Sequence, residues 1–114
     1  MHELSLAIEI ADMLQAHAHE LSRITRVTLD IGTLSCVDEA ALRTALSAAL
    51  HGTLAEQADL VVQTIEARAD CQDCGQHFSP ASRIDPCPAC GSFHKAWLAG
   101  QDFKVRSVEG LPPS

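Results

Sequence analysis

Residues 71–91 read CQDCGQHFSPASRIDPCPACG, and this stretch decides how the chain is organised. It holds two Cys-x-x-Cys pairs, Cys71/Cys74 and Cys87/Cys90, with twelve residues between them. A tetrahedral divalent ion needs four soft donors converging on one point. Each Cys-x-x-Cys turn delivers two thiolates, and the intervening dozen residues let the second turn fold back onto the first. The spacing predicts a zinc site at Cys71, Cys74, Cys87 and Cys90. Four thiolates close the coordination sphere and leave no position for water or substrate, so the ion is expected to be structural; iron in the same geometry is a minor alternative. Gly75 and Gly91 each follow the second cysteine of a pair, where a turn needs positive φ. Pro86 and Pro88 stiffen the second pair. His77 and His94 lie three and four residues beyond their nearest cysteine. Either could replace a thiolate or stabilise its charge from outside the coordination sphere; the plainer reading is a solvated surface histidine.

Outward from this stretch, residues 67–93 are dense in proline and glycine and short of large apolar side chains, so metal must supply their core. Residues 4–21 read as a helix with a buried stripe of Leu4, Ala7, Ile8, Ala11, Leu14, Ala18 and Leu21. That places residues 1–3 at an exposed helix end. Residues 24–31 read as a half-buried strand, with Thr25, Val27, Leu29 and Ile31 alternating with Arg26, Thr28 and Asp30. A second helix is expected from about Asp38 to Leu50, capped by Asp38 or Ser35 and stopping near Gly52. A strand follows over 59–66, and two strand-like runs flank Gly100. The fold class is α+β: two helices packed on a small three- or four-stranded sheet, with an inserted four-cysteine zinc ribbon. The expected domains are 1–66 with 94–114, forming the α/β part, and 67–93, forming the ribbon.

Lys and Arg total 8 against 15 Asp and Glu, a net charge of -7. Zinc held by four thiolates makes the balance more negative still. Nucleic-acid affinity depends on neutralising phosphates, so no nucleic-acid partner is expected. No apolar run approaches the ~20 residues of a membrane span, and no basic segment followed by an apolar stretch opens the chain. The expected compartment is the cytoplasm, where paired thiols serve as metal ligands more often than as disulfides. No nucleophile–base grouping or phosphate loop is visible, so the chain is not expected to be an enzyme. Cys36 is a lone thiol before the second helix, more simply a small buried residue than a reactive one.

A second constellation is Met1-His2-Glu3. Histidine is too bulky for ordinary removal of the initiator, so Met1 is expected to keep its free α-amine. That amine, the His2 amide nitrogen and the His2 imidazole can chelate one ion in fused rings. The Glu3 amide or an outside ligand could complete a square plane, which suits Ni(II) or Cu(II) rather than zinc. His17 and His19, two apart on a helix, point to different faces and make poor co-ligands.

Taken together, Met-His-Glu-Leu-Ser-Leu at 1–6, Gly-Thr-Leu-Ser-Cys-Val-Asp at 32–38, the pairs Cys71-Gln-Asp-Cys74 and Cys87-Pro-Ala-Cys90-Gly, and Gly-Gln-Asp-Phe-Lys-Val at 100–105 resemble the HypA/HybF family of hydrogenase-maturation nickel chaperones. The resemblance runs in order along nearly the whole chain. It departs at Asp102, where the family carries Glu. It implies Ni(II) as transferred cargo at His2 and the backbone nitrogens of the first residues, with structural Zn(II) on the four cysteines. It also implies a HypB-type GTPase partner and delivery to the large subunit of a [NiFe] hydrogenase, with urease maturation proteins served by some members. The competing readings are a zinc-ribbon module that binds protein or nucleic acid without nickel, and a thiol redox enzyme. The acidic charge counts against nucleic acid, and the doubled cysteine pair against a lone redox pair.

Overall fold

The structure is a computed structural model that describes residues 2–17 and 19–113. The element order is α1 (His2–Ala16), β1 (Arg23–Gly32), α2 (Glu39–Ala49), β2 (Asp59–Ile65), β3 (Arg68–Cys71), β4 (His77–Phe78), β5 (Lys95–Ala99) and β6 (Phe103–Leu111). The strands form two three-stranded sheets, ordered β2-β1-β6 and β4-β3-β5. The cysteine stretch thus has a sheet of its own, in which β3 runs antiparallel to both β4 and β5. The two strand-like runs flanking Gly100 are β5 and β6, and they belong to different sheets.

The chain divides into two units. The first comprises 1–30, 37–63 and 104–114, and contains both helices. There α1 packs against α2. The buried side chains are Ala7, Ile10, Ala11 and Leu14 of α1, Leu42 and Leu46 of α2, and Ile24, Val27 and Leu29 of β1. The α1 stripe is rotated from the expected one: Leu4 and Ile8 stand exposed, while Glu3 and Ile10 are buried. Positions 3, 7, 10 and 14 share one face of a 3.6-residue helix, and that face meets α2. Residues 1–3 are therefore not all at an exposed end, because Glu3 is only 8% exposed. The helix also stops early. His17 N–H turns back to the Leu14 carbonyl, an i−3 closure at 3.2 Å that tightens the last turn. Leu21 lies beyond the helix, and the expected contribution of Ala18 falls outside the described residues.

α2 behaves as its sequence predicts. Asp38 caps it, with Oδ1 accepting the Ala41 N–H at 3.0 Å, and Gly52 follows the helix at φ 78°. β1 does not. Thr25 is exposed, whereas Thr28 and Asp30 are buried beside Val27, Leu29 and Ile31. From Val27 onward β1 is buried on both faces, with Arg106 of the neighbouring β6 gripping Asp30, so the half-buried alternation is lost.

The second unit comprises 31–36 and 64–103, wider than the 67–93 segment singled out by composition. Its buried positions in the cysteine stretch are small: Ala67, Ala69, Cys71, Pro80 and Cys87. Ile84, Phe93 and Leu98 are exposed. The insert begins and ends beside one turn, since Thr33 N–H donates to the Ile65 carbonyl and Gly32 N–H to the Asp102 carbonyl, each at 2.9 Å. Gly32 admits this approach because a Cβ there would lie 2.3 Å from the Gly100 carbonyl oxygen. Arg83 donates to the carbonyls of Leu34 (3.0 Å) and Gln101 (2.8 Å), closing the same end of the unit.

Candidate metal centres

The two cysteine pairs fold as matched knuckles. After each pair, a glycine N–H returns to the first cysteine's carbonyl: Gly75 to Cys71 at 2.9 Å and Gly91 to Cys87 at 2.8 Å. The first cysteine's own N–H reaches the residue five positions on, Gln76 or Ser92. Gly75 and Gly91 stand at φ 77° and 76° with open space where a Cβ would project, so conformation rather than crowding demands glycine. Gln72 N–H, donating to the His94 carbonyl at 2.9 Å, ties the first knuckle to the chain that leaves the second.

This brings all four Sγ atoms within 4.8 Å of one another. The Cys71–Cys90 and Cys74–Cys87 separations are both 3.6 Å. A disulfide is ~2.05 Å long, and the cysteines are unbridged. By contrast, Zn–S bonds of ~2.3 Å in a tetrahedron put sulfurs ~3.8 Å apart. Cys71 and Cys87 are buried, while Cys74 and Cys90 face outward. The electrostatics make the same demand. The Cys71 thiol is lowered to about 6, first by the Cys74 backbone N–H. Cys90 is raised to about 12: the Ser92 backbone N–H works against the rise, but the contact with Cys71, burial and the other two thiols outweigh it. Four thiolates this close cannot all ionise without a cation among them. The donor set therefore fits a tetrahedral, thiophilic divalent ion.

His77 and His94 are exposed, and their imidazoles meet carboxylates rather than sulfur. His77 Nδ1 pairs with Asp70 Oδ1, and His94 Nδ1 lies 3.6 Å from Asp73 Oδ2. Asp73 also accepts from the Ser92 hydroxyl, joining the two knuckles through side chains. These aspartates each stand just before a cysteine, and neither belongs to the residues expected at the site. Their adjacency to Cys71 and Cys74 was the available signal. Cys36 is exposed, contrary to the small buried residue expected, and takes φ 62°. Its Sγ lies 3.8 Å from the Leu34 carbonyl.

At the other candidate centre, the Met1 α-amine lies outside the described residues. α1 begins at His2, whose side chain is 51% exposed, with Nε2 3.6 Å from Glu3 Oε2. Glu3 Oε2 also accepts the Asp38 backbone N–H at 3.0 Å. That hydrogen bond is the first of several influences holding the Glu3 carboxyl down to about 2.

Residues 1–110 match the family described as hydrogenase/urease nickel incorporation, metallochaperone, HypA. The chain belongs to the HypA family. It is 40% identical to the hydrogenase maturation factor HypA of Chlorobium limicola over 110 residues, 95% of each chain. It is 38% identical to the hydrogenase maturation factor HybF of Klebsiella pneumoniae, over 96% of this chain and 99% of the relative. Among solved structures it resembles the Ni metallochaperone HypA of Helicobacter pylori, with a TM-score of 0.73 and 25% identity, covering 99% of this chain and all of the other. HypA membership makes the chain a nickel-incorporation metallochaperone of hydrogenase maturation, a carrier rather than an enzyme. No helix among the described residues is long and apolar enough to cross a membrane.

Proposed function

We propose that the chain binds Ni(II) at its N-terminus through His2 and neighbouring backbone nitrogens, and holds structural Zn(II) on Cys71, Cys74, Cys87 and Cys90. The Met1 α-amine, the His2 amide and the His2 imidazole make three donors of a square plane. The Glu3 amide or a ligand from a partner makes the fourth. The reading rests chiefly on α1 starting at His2. The first N–H groups of a helix have no intrahelical acceptor, so a metal can displace those protons without breaking the helix ladder. The positive end of the helix dipole repels a bare cation there; amide nitrogens that have lost their protons offset that repulsion.

An exposed nitrogen site suits a carrier. Partner ligands can reach it directly, so nickel moves by ligand exchange, whereas four thiolates enclose their ion. Copper outranks nickel for nitrogen ligands, so selection must come from geometry, supply and docking. Membership of a family of hydrogenase/urease nickel-incorporation metallochaperones supports this reading. The partners in this reading are a HypB-type GTPase and the large subunit of a [NiFe] hydrogenase, with urease maturation proteins as further recipients, in the cytoplasm. The α/β part (1–66 and 94–114) carries nickel, and the ribbon (67–93) carries zinc.

Native mass spectrometry of untagged protein tests the reading. One zinc and about one added nickel per chain are expected. His2→Ala loses the nickel and keeps the zinc. Nickel retained in that variant overturns the N-terminal site, and normal affinity in a protein extended at its N-terminus excludes Met1 as a ligand.

A further inference from the structure

We propose that His17, His19 and Glu20, just beyond the C-terminal end of α1, form a further divalent-metal site, open to water and separate from both centres described above. It takes a first-row ion that imidazole and carboxylate hold well, such as Ni(II). It does not depend on the N-terminal reading.

On a continuous helix His17 and His19 would point to different faces. The chain does otherwise. α1 ends at Ala16, and the Glu20 N–H donates to the His17 carbonyl at 3.0 Å. The turn carries all three side chains to one place. His17 Nδ1 lies 3.3 Å from Glu20 Oε2, and His19 Nε2 lies 3.6 Å from Glu20 Oε1. Two imidazoles thus flank one carboxylate, one on each oxygen. Metal bonds of ~2.1 Å put neighbouring nitrogen and oxygen donors roughly 3.0–3.4 Å apart, so both contacts are already near the spacing an ion imposes.

The surroundings favour a cation. The last turn of α1 carries no basic residue, so the negative end of the helix dipole is uncompensated. His17 and Glu20 line a cleft of about 540 Å³ that also takes in Leu14, Leu21 and Ile24. An apolar wall excludes water on one side and strengthens the attraction between carboxylate and ion. Arg106 lines the same cleft, but its guanidinium is committed to Asp30.

Among the described residues, the four cysteines are the group whose donors all stand within 4.8 Å of one another. The His17, His19 and Glu20 side chains, 56%, 77% and 58% exposed, must be drawn together on binding. That ordering costs rotamer freedom, so the site fills only in excess metal. Water completes its coordination, and its ion exchanges readily. The 15 residues of α1 separate it from His2 by roughly 20 Å, so an ion at one end is told from an ion at the other.

The test titrates untagged, zinc-loaded, full-length protein with Ni(II) well past one equivalent and follows the backbone amides by NMR. In excess nickel the amides of His17, His19 and Glu20 broaden together. His17→Ala, His19→Ala and Glu20→Gln each weaken this event by at least about 10-fold, the lower end of what even a residue outside the coordination sphere costs a metal site. Zinc content and helical circular dichroism stay as in the parent. His51→Ala is the control: His51 Nδ1 meets Glu56 Oε2 at 2.8 Å, a pair with one imidazole, and its loss leaves the event unchanged.

Absence of any event in excess nickel overturns the proposal. Equal broadening at His51 and Glu56, or equal weakening in His51→Ala, shows that the ion binds any surface histidine–carboxylate pair. An event that keeps its strength in either His17→Ala or His19→Ala breaks the three-donor set. The event persists in His2→Ala; nickel held by that variant at one equivalent bears on the N-terminal reading alone.

Discussion

Asp30 and Arg106 illustrate what a single pair of residues decides. The Asp30 side chain is 3% exposed, and Arg106 grips it through Nε, at 2.9 and 2.8 Å from the two oxygens, and through Nη2 at 2.7 Å. These hydrogen bonds, against burial, hold the Asp30 carboxyl below its ordinary 3.8. A lowered carboxyl contributes stability that is present above the unfolded value and is lost as pH falls through the folded one. The pair should therefore hold across neutral pH and begin to fail below about pH 3.8. Arg106→Met leaves the carboxylate buried and unpaired, and burial alone pushes a carboxyl upward. We expect that variant to unfold at a clearly lower temperature at pH 7 and to regain stability on mild acidification, over a range where the pair in the parent contributes a constant amount. Thermal unfolding from pH 7 to pH 5 checks this. A parallel slope in both proteins would show that Asp30 does not depend on Arg106. The sequence could not reveal the pair. Asp30 sat in an alternating strand as an outward residue, and its partner lies 76 positions away.

At the scale of elements, legibility followed locality. α2 was readable because its cap, its apolar stripe and its terminating glycine all lie within one segment. The cysteine knuckles were readable for the same reason: chemistry, turn and spacing coincide. α1 was readable as a helix, but its face was not, because which stripe is buried depends on α2. β3 and β4 were invisible, since a two-residue strand such as His77–Phe78 carries no periodicity. The knuckles also yield a prediction at this scale. Gly75 and Gly91 have open space for a side chain but stand in the left-handed region. Alanine at either position should cost about 1–2 kcal/mol of local strain and no packing. In competition with a chelator, Gly75→Ala and Gly91→Ala should each release zinc more readily, by roughly 5–30-fold if that strain is fully expressed in the metal-bound form. Unchanged zinc retention would mean that the turns relax at no cost.

At the scale of the whole molecule, the spectroscopic reporters divide between the two units. Both helices lie in the first unit, while Trp97, the chain's single tryptophan, lies in the second with Lys95 Nζ 5.6 Å from its ring centroid. The cysteine unit buries little besides alanines, cysteines and the Ile31 and Leu34 side chains, so under the proposed zinc assignment its order should depend on the ion. Stripping zinc at neutral pH should change tryptophan fluorescence markedly and leave most helical circular dichroism in place. Loss of both signals together would show that the two units unfold as one. That the cysteine stretch belongs to a unit of its own could be anticipated from composition, because a segment poor in large apolar residues and rich in cysteine reads as one that metal must order. The exact extent of each unit could not, because Ile31–Cys36 joins the second through backbone hydrogen bonds that leave no trace in residue type.

The Gly32–Thr33 turn grips both ends of the inserted segment, at Ile65 and Asp102. β2 and β6 flank β1, two strand spacings or about 10 Å apart. A bridge of a few residues spans that gap. In evolutionary terms the cysteine unit is a cassette: an ancestral sheet could have acquired it, or a descendant shed it, through one event in a single loop, with the strand order untouched.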